Sequence, residues 1–268
     1  MNFCLNTNAA YVDFNRLVHD RFFVDKSAII EKISARINTK NRYVCITKPR
    51  RFGKTSVLNM LGAYYGKAYG AKNLFDGLKI SKSASYAVHL NKYNVINLCM
   101  NEIPLDWSRY EDYITHFNNA IIHDVKENYP ALKDKRFEKA SDALWATGDE
   151  FIFMIDEWDY IFNHELYPEH QGAFLEFLRN LLKDKPYVAL TYMTGVLPIK
   201  KYCTGSALNM FDEYTMLKDH FYENYFGFLE CEVEALCQKQ GKVFLEEIRD
   251  WYNGYLTGNG ERIYNPRS

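Results

Sequence analysis

A run of mostly apolar and β-branched residues, Tyr43-Val44-Cys45-Ile46-Thr47, feeds a basic turn, Lys48-Pro49-Arg50-Arg51-Phe52-Gly53-Lys54-Thr55, and this junction constrains the fold more than anything else in the chain. Directly after it, Val57, Leu58, Leu61, Tyr64 and Tyr65 recur at i, i+1, i+4, i+7 and i+8, the period of an amphipathic helix. A strand that turns through Gly-Lys-Thr into a helix predicts a phosphate cradle, because the unsatisfied N–H groups of the helix start face the anion. Gly53 lets the backbone approach an oxygen closely, Lys54 supplies the positive charge, and Thr55 offers a hydroxyl to magnesium. Pro49, Arg50, Arg51, Phe52 and Ser56 complete the candidate nucleotide-binding turn. The full G-x-x-x-x-G-K-[ST] pattern asks for a glycine at position 48, where this chain carries Lys48. The local basic group of Lys48, Arg50, Arg51 and Lys54 has the neutralisation of a triphosphate as its simplest role.

About a hundred residues downstream, Phe151-Ile152-Phe153-Met154-Ile155 reads as a buried parallel strand, and the carboxylates Asp156, Glu157 and Asp159 begin where it ends. In an open α/β sheet ligands sit at the carboxyl ends of strands, which sets Asp156 beside the phosphate turn. Asp156 suits the magnesium shell, together with Thr55, and Glu157 can polarise an attacking water. An acidic turn after a core strand is the plainer reading of the segment taken alone, and a metal-dependent nuclease cluster of Asp156, Glu157 and Asp159 is a third. A further strand, Tyr187 to Gly195, ends in Thr194, the candidate sensor of the attacking water or terminal phosphate. Threonine is also common in strands simply because it is β-branched.

At these residues the chain resembles the predicted AAA-ATPase-like proteins of bacteria, which often carry a restriction-endonuclease-like nuclease domain at the C-terminal end. The resemblance rests on Phe23-Val24-Asp25-Lys26-Ser27, on the turn from Pro49 to Thr55, on Ile155-Asp156-Glu157, and on Thr194-Gly195-Val196-Leu197-Pro198-Ile199-Lys200-Lys201-Tyr202. Near the end it adds Phe226-Gly227-Phe228, Trp251-Tyr252-Asn253-Gly254-Tyr255 and Tyr264-Asn265-Pro266-Arg267-Ser268. Relatives commonly place Arg or Lys where Lys48 stands. The resemblance implies a P-loop NTPase that binds ATP and hydrolyses it with Mg2+, coupling nucleotide state to a partner protein or a downstream nuclease-like domain. The alternative is a nucleotide-gated interaction switch with negligible hydrolysis. Similar proteins continue past the Tyr-Asn-Pro segment, so a sequence stopping at Ser268 is expected to be a shortened product or a fragment. Trp158 stands where relatives usually have Tyr, and Leu229 where a helix-capping Thr is common.

The net charge of −1 does not advertise nucleic-acid binding, which leaves that partner open. No apolar run approaches the roughly 20 residues that cross a bilayer, and the N-terminus lacks a basic start followed by an apolar stretch. Cys4, Cys45, Cys99, Cys203, Cys231 and Cys237 show no C-x-x-C and no zinc spacing, as expected of reduced thiols in a cytoplasmic protein. Oligomeric state is not legible. Arg179 is a conceivable arginine finger, with a salt-bridged helix surface as its plainer state. Lys200 and Lys201 follow the sensor strand and could face nucleotide or a neighbouring subunit.

The expected architecture is α/β: a parallel P-loop NTPase sheet flanked by helices, with a small C-terminal helical or winged-helix-like subdomain. Residues 1–40 form a lead segment, in which Asp25 can cap a helix with Ile29, Ile30, Ile33 and Ile37 as its buried stripe, and Tyr11 or Phe23 can meet an adenine. Residues 41–217 form the ATPase core, which includes a strand at Asn94 to Met100. Strands alternating with helices argue for parallel pairing, and analogy with ATPases that carry a Glu beside the magnesium Asp sets the Thr194 strand between the other two. Residues 218–268 form the lid or winged-helix-like unit, with Val233, Leu236 and Cys237 in one helix, a break at Gly241, Phe244, Leu245, Ile248, Trp251 and Tyr252 in the next, a stop at Gly254 and a turn at Gly258-Asn259-Gly260.

Overall fold

Three of the strands are apolar nearly without interruption because both of their faces are covered. Along β3 (Phe151–Asp156), Phe151, Phe153 and Ile155 point into one core while Ile152 and Met154 point into a second, and all five are fully buried. β1 (Tyr43–Thr47) divides the same way, with Tyr43 and Cys45 on one side and Val44 and Ile46 on the other. The period-2 alternation is present, but with no solvent side it leaves no polar positions to read.

The computed structural model describes residues 2–266 except positions 69, 103–108, 203–206, 218, 242–244, 253, 258 and 259, and describes Trp251 by its backbone alone. Cys203, Phe244, Asn253, Gly258, Asn259, Arg267, Ser268 and the Trp251 side chain, all invoked above, lie outside the described residues. The chain begins with α1 (Ala9–Val18) and α2 (Ile29–Ser34), enters β1, and continues through α3 (Lys54–Tyr65), α4 (Lys72–Phe75), α5 (Tyr86–His89), β2 (Asn94–Cys99), α6 (Tyr110–Asn128) and α7 (Ala140–Thr147) to β3. After it come α8 (Tyr160–Asn163), α9 (Gln171–Leu182), β4 (Val188–Gly195), α10 (Ile199–Tyr202) and β5 (Asp212–Tyr214). The C-terminal unit holds β6 (Phe228–Leu229), α11 (Glu230–Gln240), α12 (Leu245–Trp251), β7 (Tyr255–Leu256) and β8 (Arg262–Tyr264).

The sheet order is β2-β3-β4-β1-β5, parallel throughout, so β4 lies between β3 and β1 as expected. One face packs α6, α7 and α9, the other α1, α2 and α3. Strand β5 was not expected; at three residues, two of them acidic, it carries no strand signal of its own. The C-terminal unit adds an antiparallel sheet, β6-β8-β7, to the two anticipated helices, and Gly241 closes α11 in the left-handed conformation at φ 66°. At Leu229 half of a capping box survives without the threonine: the Glu232 carboxylate accepts the Leu229 N–H at 2.8 Å.

The lead segment departs from expectation in two places. Ile29, Ile30 and Ile33 are buried, but Asp25 fixes the turn before α2, accepting N–H groups of Ser27 and Lys79 at 2.8 and 2.7 Å. Before α1, residues 4–6 extend the sheet: Leu5 bridges Ile96 antiparallel, Asn6 N donates to Val95 O and Asn97 N to Cys4 O. That start is anchored by the fully buried Asp124 of α6, whose carboxylate accepts the N–H groups of Phe3, Cys4 and Leu5 at 2.7–2.9 Å.

Burial alone would raise the Asp124 carboxyl, but these three amides hold it below the ordinary value. Its contribution to stability is therefore complete above the unfolded carboxylate value near 4 and is lost as pH falls through the lower folded value. We expect Asp124→Ala to cost on the order of 3 kcal/mol, since it strands several buried donors. Urea unfolding at pH 7 and at pH 3 measures it, and the gap between variant and parent should narrow at the lower pH.

Candidate functional site

The phosphate turn spans residues 48–53 between β1 and α3. It turns through two left-handed residues, Arg51 at φ 68° and Gly53 at φ 80°. Only the second was legible, since glycine adopts that region without strain and arginine does not. A methyl group added to Gly53 would meet nothing within 4 Å, so the backbone there borders open space in front of the first amides of α3.

Lys54 opens α3 and is 8% exposed. Its ammonium donates to the carbonyls of Lys48 and Pro49, each at 2.9 Å, folding back on its own turn. Burial pushes its pKa below the ordinary lysine value, against the opposing pull of the Asp156, Asp159 and Glu157 carboxylates. A desolvated ammonium whose described hydrogen bonds go to neutral carbonyls gains strongly from an arriving anion.

Asp156 ends β3 and meets the turn as expected. Thr55 donates its hydroxyl to Asp156 Oδ2 at 2.6 Å, across 101 residues of sequence, and the Thr194 hydroxyl donates to Oδ1. Thr55 and Asp156 together offer hard oxygen donors at one point, the chemistry that suits magnesium. Thr194 is fully buried at the end of β4 and touches the aspartate directly.

Glu157 follows in the left-handed region at φ 50°, and its Oε2 accepts from Asn101 Nδ2 at 2.9 Å. Sequence reasoning missed Asn101. The signal lay in pairing: Cys99 is the register partner of Asp156, so a residue just beyond β2 stands beside a residue just beyond β3.

Asp159 turns elsewhere. Its Oδ2 accepts the N–H groups of Val196 and Leu197 at 3.0 and 2.6 Å and the Asn163 amide at 2.7 Å, pinning the loop after β4. The same packing leaves no room at Gly195, where an added methyl would lie 2.5 Å from Asp159 Oδ1 and from the Trp158 ring. Gly195→Ala is expected to cost about 1–3 kcal/mol by overpacking, read from urea denaturation.

Lys48 corrects the reading of one basic cluster. Its side chain leaves the turn on the far side, is 2% exposed, and pairs with the fully buried Asp219 at 2.8 Å. Arg50 and Arg51 stay exposed at the mouth of the cleft. Arg179 pairs with Glu176 on the surface of α9, its plainer state, and Lys200 and Lys201 are exposed on α10.

All of Arg50 to Ser56, with Asp156, Glu157 and Gly195, line a single cleft of about 770 Å³. Three other parts of the chain add mostly apolar lining: Phe14 and Phe23 from the lead segment, Val57 and Met60 from α3, Tyr225 and Gly227 from the approach to the C-terminal unit. Tyr11 packs instead against the core on the α1 side. Lys26 also reaches the cleft while paired with Glu232 of α11. Lys26 stands out in the sequence only as part of the motif Phe23-Val24-Asp25-Lys26-Ser27, with no role at the site, and no sequence signal identified Tyr225, because their place depends on how the two ends of the chain dock.

The five described cysteines are free thiols, and burial pushes Cys99, near Asp156, up to about 12. Among the described residues no helix is long and apolar enough to cross a membrane.

Residues 10–203 match the model of a family described as Predicted AAA-ATPase. No curated protein matches the chain. Among solved structures, a similar one is that of C. elegans PCH-2, at 17% identity and TM-score 0.37, with 75% of this chain and 45% of that chain covered. The chain thus spans less than half the length of that neighbour.

Proposed function

Because the chain belongs to the predicted AAA-ATPase family, we propose that it binds ATP with magnesium in the cleft beside the phosphate turn and hydrolyses it. The observation that carries this reading is the convergence of Lys54, Thr55 and Asp156, with Thr55 Oγ1 at 2.6 Å from Asp156 Oδ2.

In this reading the Lys54 ammonium leaves the two carbonyls of its own turn for the β and γ phosphate oxygens, and the open space at Gly53 lets the backbone amides of residues 53–56 close on them. Pro49, Arg50, Arg51 and Phe52 shape the turn, with the two arginines adding positive charge at its mouth. Thr55 and Asp156 would hold magnesium, which when bound would neutralise phosphate charge. Thr194 keeps the Asp156 carboxylate in one orientation. Glu157 orients the attacking water and takes its proton. Phe14, Phe23, Val57 and Met60 form an apolar end suited to the face of a purine, which they shield from water.

We divide the chain into a lead segment of residues 1–40, an ATPase core of 41–217 and a C-terminal unit of 218–268. The first and last of these close the base end of the cleft, so the C-terminal unit is the part able to report nucleotide state to a partner or a following domain.

A second reading has its own support. The Glu157 carboxylate is tied to the Asn101 amide, which favours a protein that binds ATP and hydrolyses it slowly until the tie is released. Calorimetry of ATP and magnesium into the full chain tests binding, with expected affinity in the micromolar range, about −8 kcal/mol. No heat with folded protein removes both readings, whereas binding without single-turnover hydrolysis leaves the switch.

A further inference from the structure

We infer that the buried Lys48–Asp219 ion pair is a mechanical tie that passes the state of the phosphate turn to the segment carrying the C-terminal unit, a proposal that rests on the nucleotide reading above. The pair joins the first residue of the phosphate turn to the segment that follows β5. On one side, Lys48 is the first residue of the turn, and its backbone N–H still continues the β1–β4 pairing by donating to Gly195 O at 3.2 Å. On the other, Asp219 organises the chain leading out of the sheet: its Oδ1 accepts the N–H groups of Phe221 and Tyr222 at 3.0 and 2.6 Å.

Neither charge reaches solvent; the Lys48 ammonium has Asp219 at 2.8 Å, Thr215 O at 3.2 Å and the Phe226 ring at 5.7 Å. Two ions withdrawn from water must keep their geometry, so a displacement of either end is followed by the other. The displacement has a source. The Lys48 carbonyl is one of the two acceptors of the Lys54 ammonium, and an anion that draws Lys54 away removes that donor from the peptide to which the Lys48 side chain is attached. The receiving end is contiguous with the C-terminal unit: Phe226 precedes Gly227, whose N–H donates to Phe52 O at 3.0 Å, and β6 and α11 follow at once. A glycine at position 48 could bind phosphate but could not make this tie.

The test is amide hydrogen exchange on the full chain with and without the slowly hydrolysed analogue ATPγS and magnesium. In the parent, the nucleotide should protect residues 53–57 and also change exchange across 219–229 by about threefold or more. The double variant Lys48→Met with Asp219→Asn removes both charges while an asparagine oxygen still serves the Phe221 and Tyr222 amides. It should keep the protection at 53–57 and lose the response at 219–229, and Lys48→Arg should retain both. A parent in which 53–57 is protected and 219–229 is unaffected overturns the tie without any variant, as does a double variant that responds like the parent. A folded parent with no protection at 53–57 overturns the nucleotide reading instead, and the tie with it.

Discussion

Glu157→Gln is expected to slow single-turnover ATP hydrolysis by about 10²–10⁴-fold, the range for loss of a general base, while ATP affinity stays within severalfold. The substitution isolates the chemistry well. Glu157 sits one residue past β3 with its backbone N–H on Asp156 Oδ1 at 3.0 Å and its Oε2 on the Asn101 amide. A glutamine oxygen can accept from Asn101 just as the carboxylate does, so the side chain keeps its place and loses only basicity and charge. Rapid-quench measurement with enzyme in excess over labelled ATP reads the step free of product release. Equal rates in parent and variant would exclude Glu157 as the base, and equal rates that are negligible in both, with tight binding, would leave the low-turnover switch as the better account.

Lys54→Ala should weaken ATP binding about 100-fold or more, because it deletes charge-assisted hydrogen bonds to phosphate each worth about 1.5–3 kcal/mol. The fold should survive. The ammonium's described hydrogen bonds go to the Lys48 and Pro49 carbonyls of its own turn, and Lys54 itself lines the cleft, so water entering the space left by the side chain can replace it. Calorimetric titration of ATP, run beside a thermal melt of the same sample, separates lost affinity from lost structure. Binding within threefold of the parent in a folded variant would place the phosphates somewhere other than this turn.

Both predictions concern residues legible before any coordinates, and the reason is local. A Gly-Lys-Thr between an apolar run and an amphipathic run announces a strand, a turn and a helix start through short-range geometry. Five apolar residues ending in Asp-Glu likewise mark the carboxyl end of a buried strand. Parallel pairing then brings such ends to one edge of the sheet, which is why Thr55 and Asp156 meet. The weaker signals failed for equally physical reasons. β5 is too short to show a period, and the antiparallel β6-β8-β7 sheet is built from strands of two or three residues. Asp124 looks like any acidic residue on an amphipathic helix until the amides of residues 3–5 arrive at its carboxylate.

Lys48 marks the boundary most sharply. Four basic residues within seven positions invited a common role, yet a side chain's direction is set by what surrounds it, and Asp219, 171 residues away, draws Lys48 to the opposite side of the turn. Asn101 beside Glu157 and Tyr225 beside the cleft depend in the same way on which strands pair and how the chain's two ends dock. Sequence alone determined the α/β class, the phosphate turn and the acidic strand end, since each follows from short-range pattern, whereas β4's place between β3 and β1 was expected by analogy with known ATPases and is given by the strand pairing. Tertiary structure alone decided which charges face the cleft and which are spent holding it, because burying an ion is tolerable only beside a partner, and partners come from anywhere in the chain.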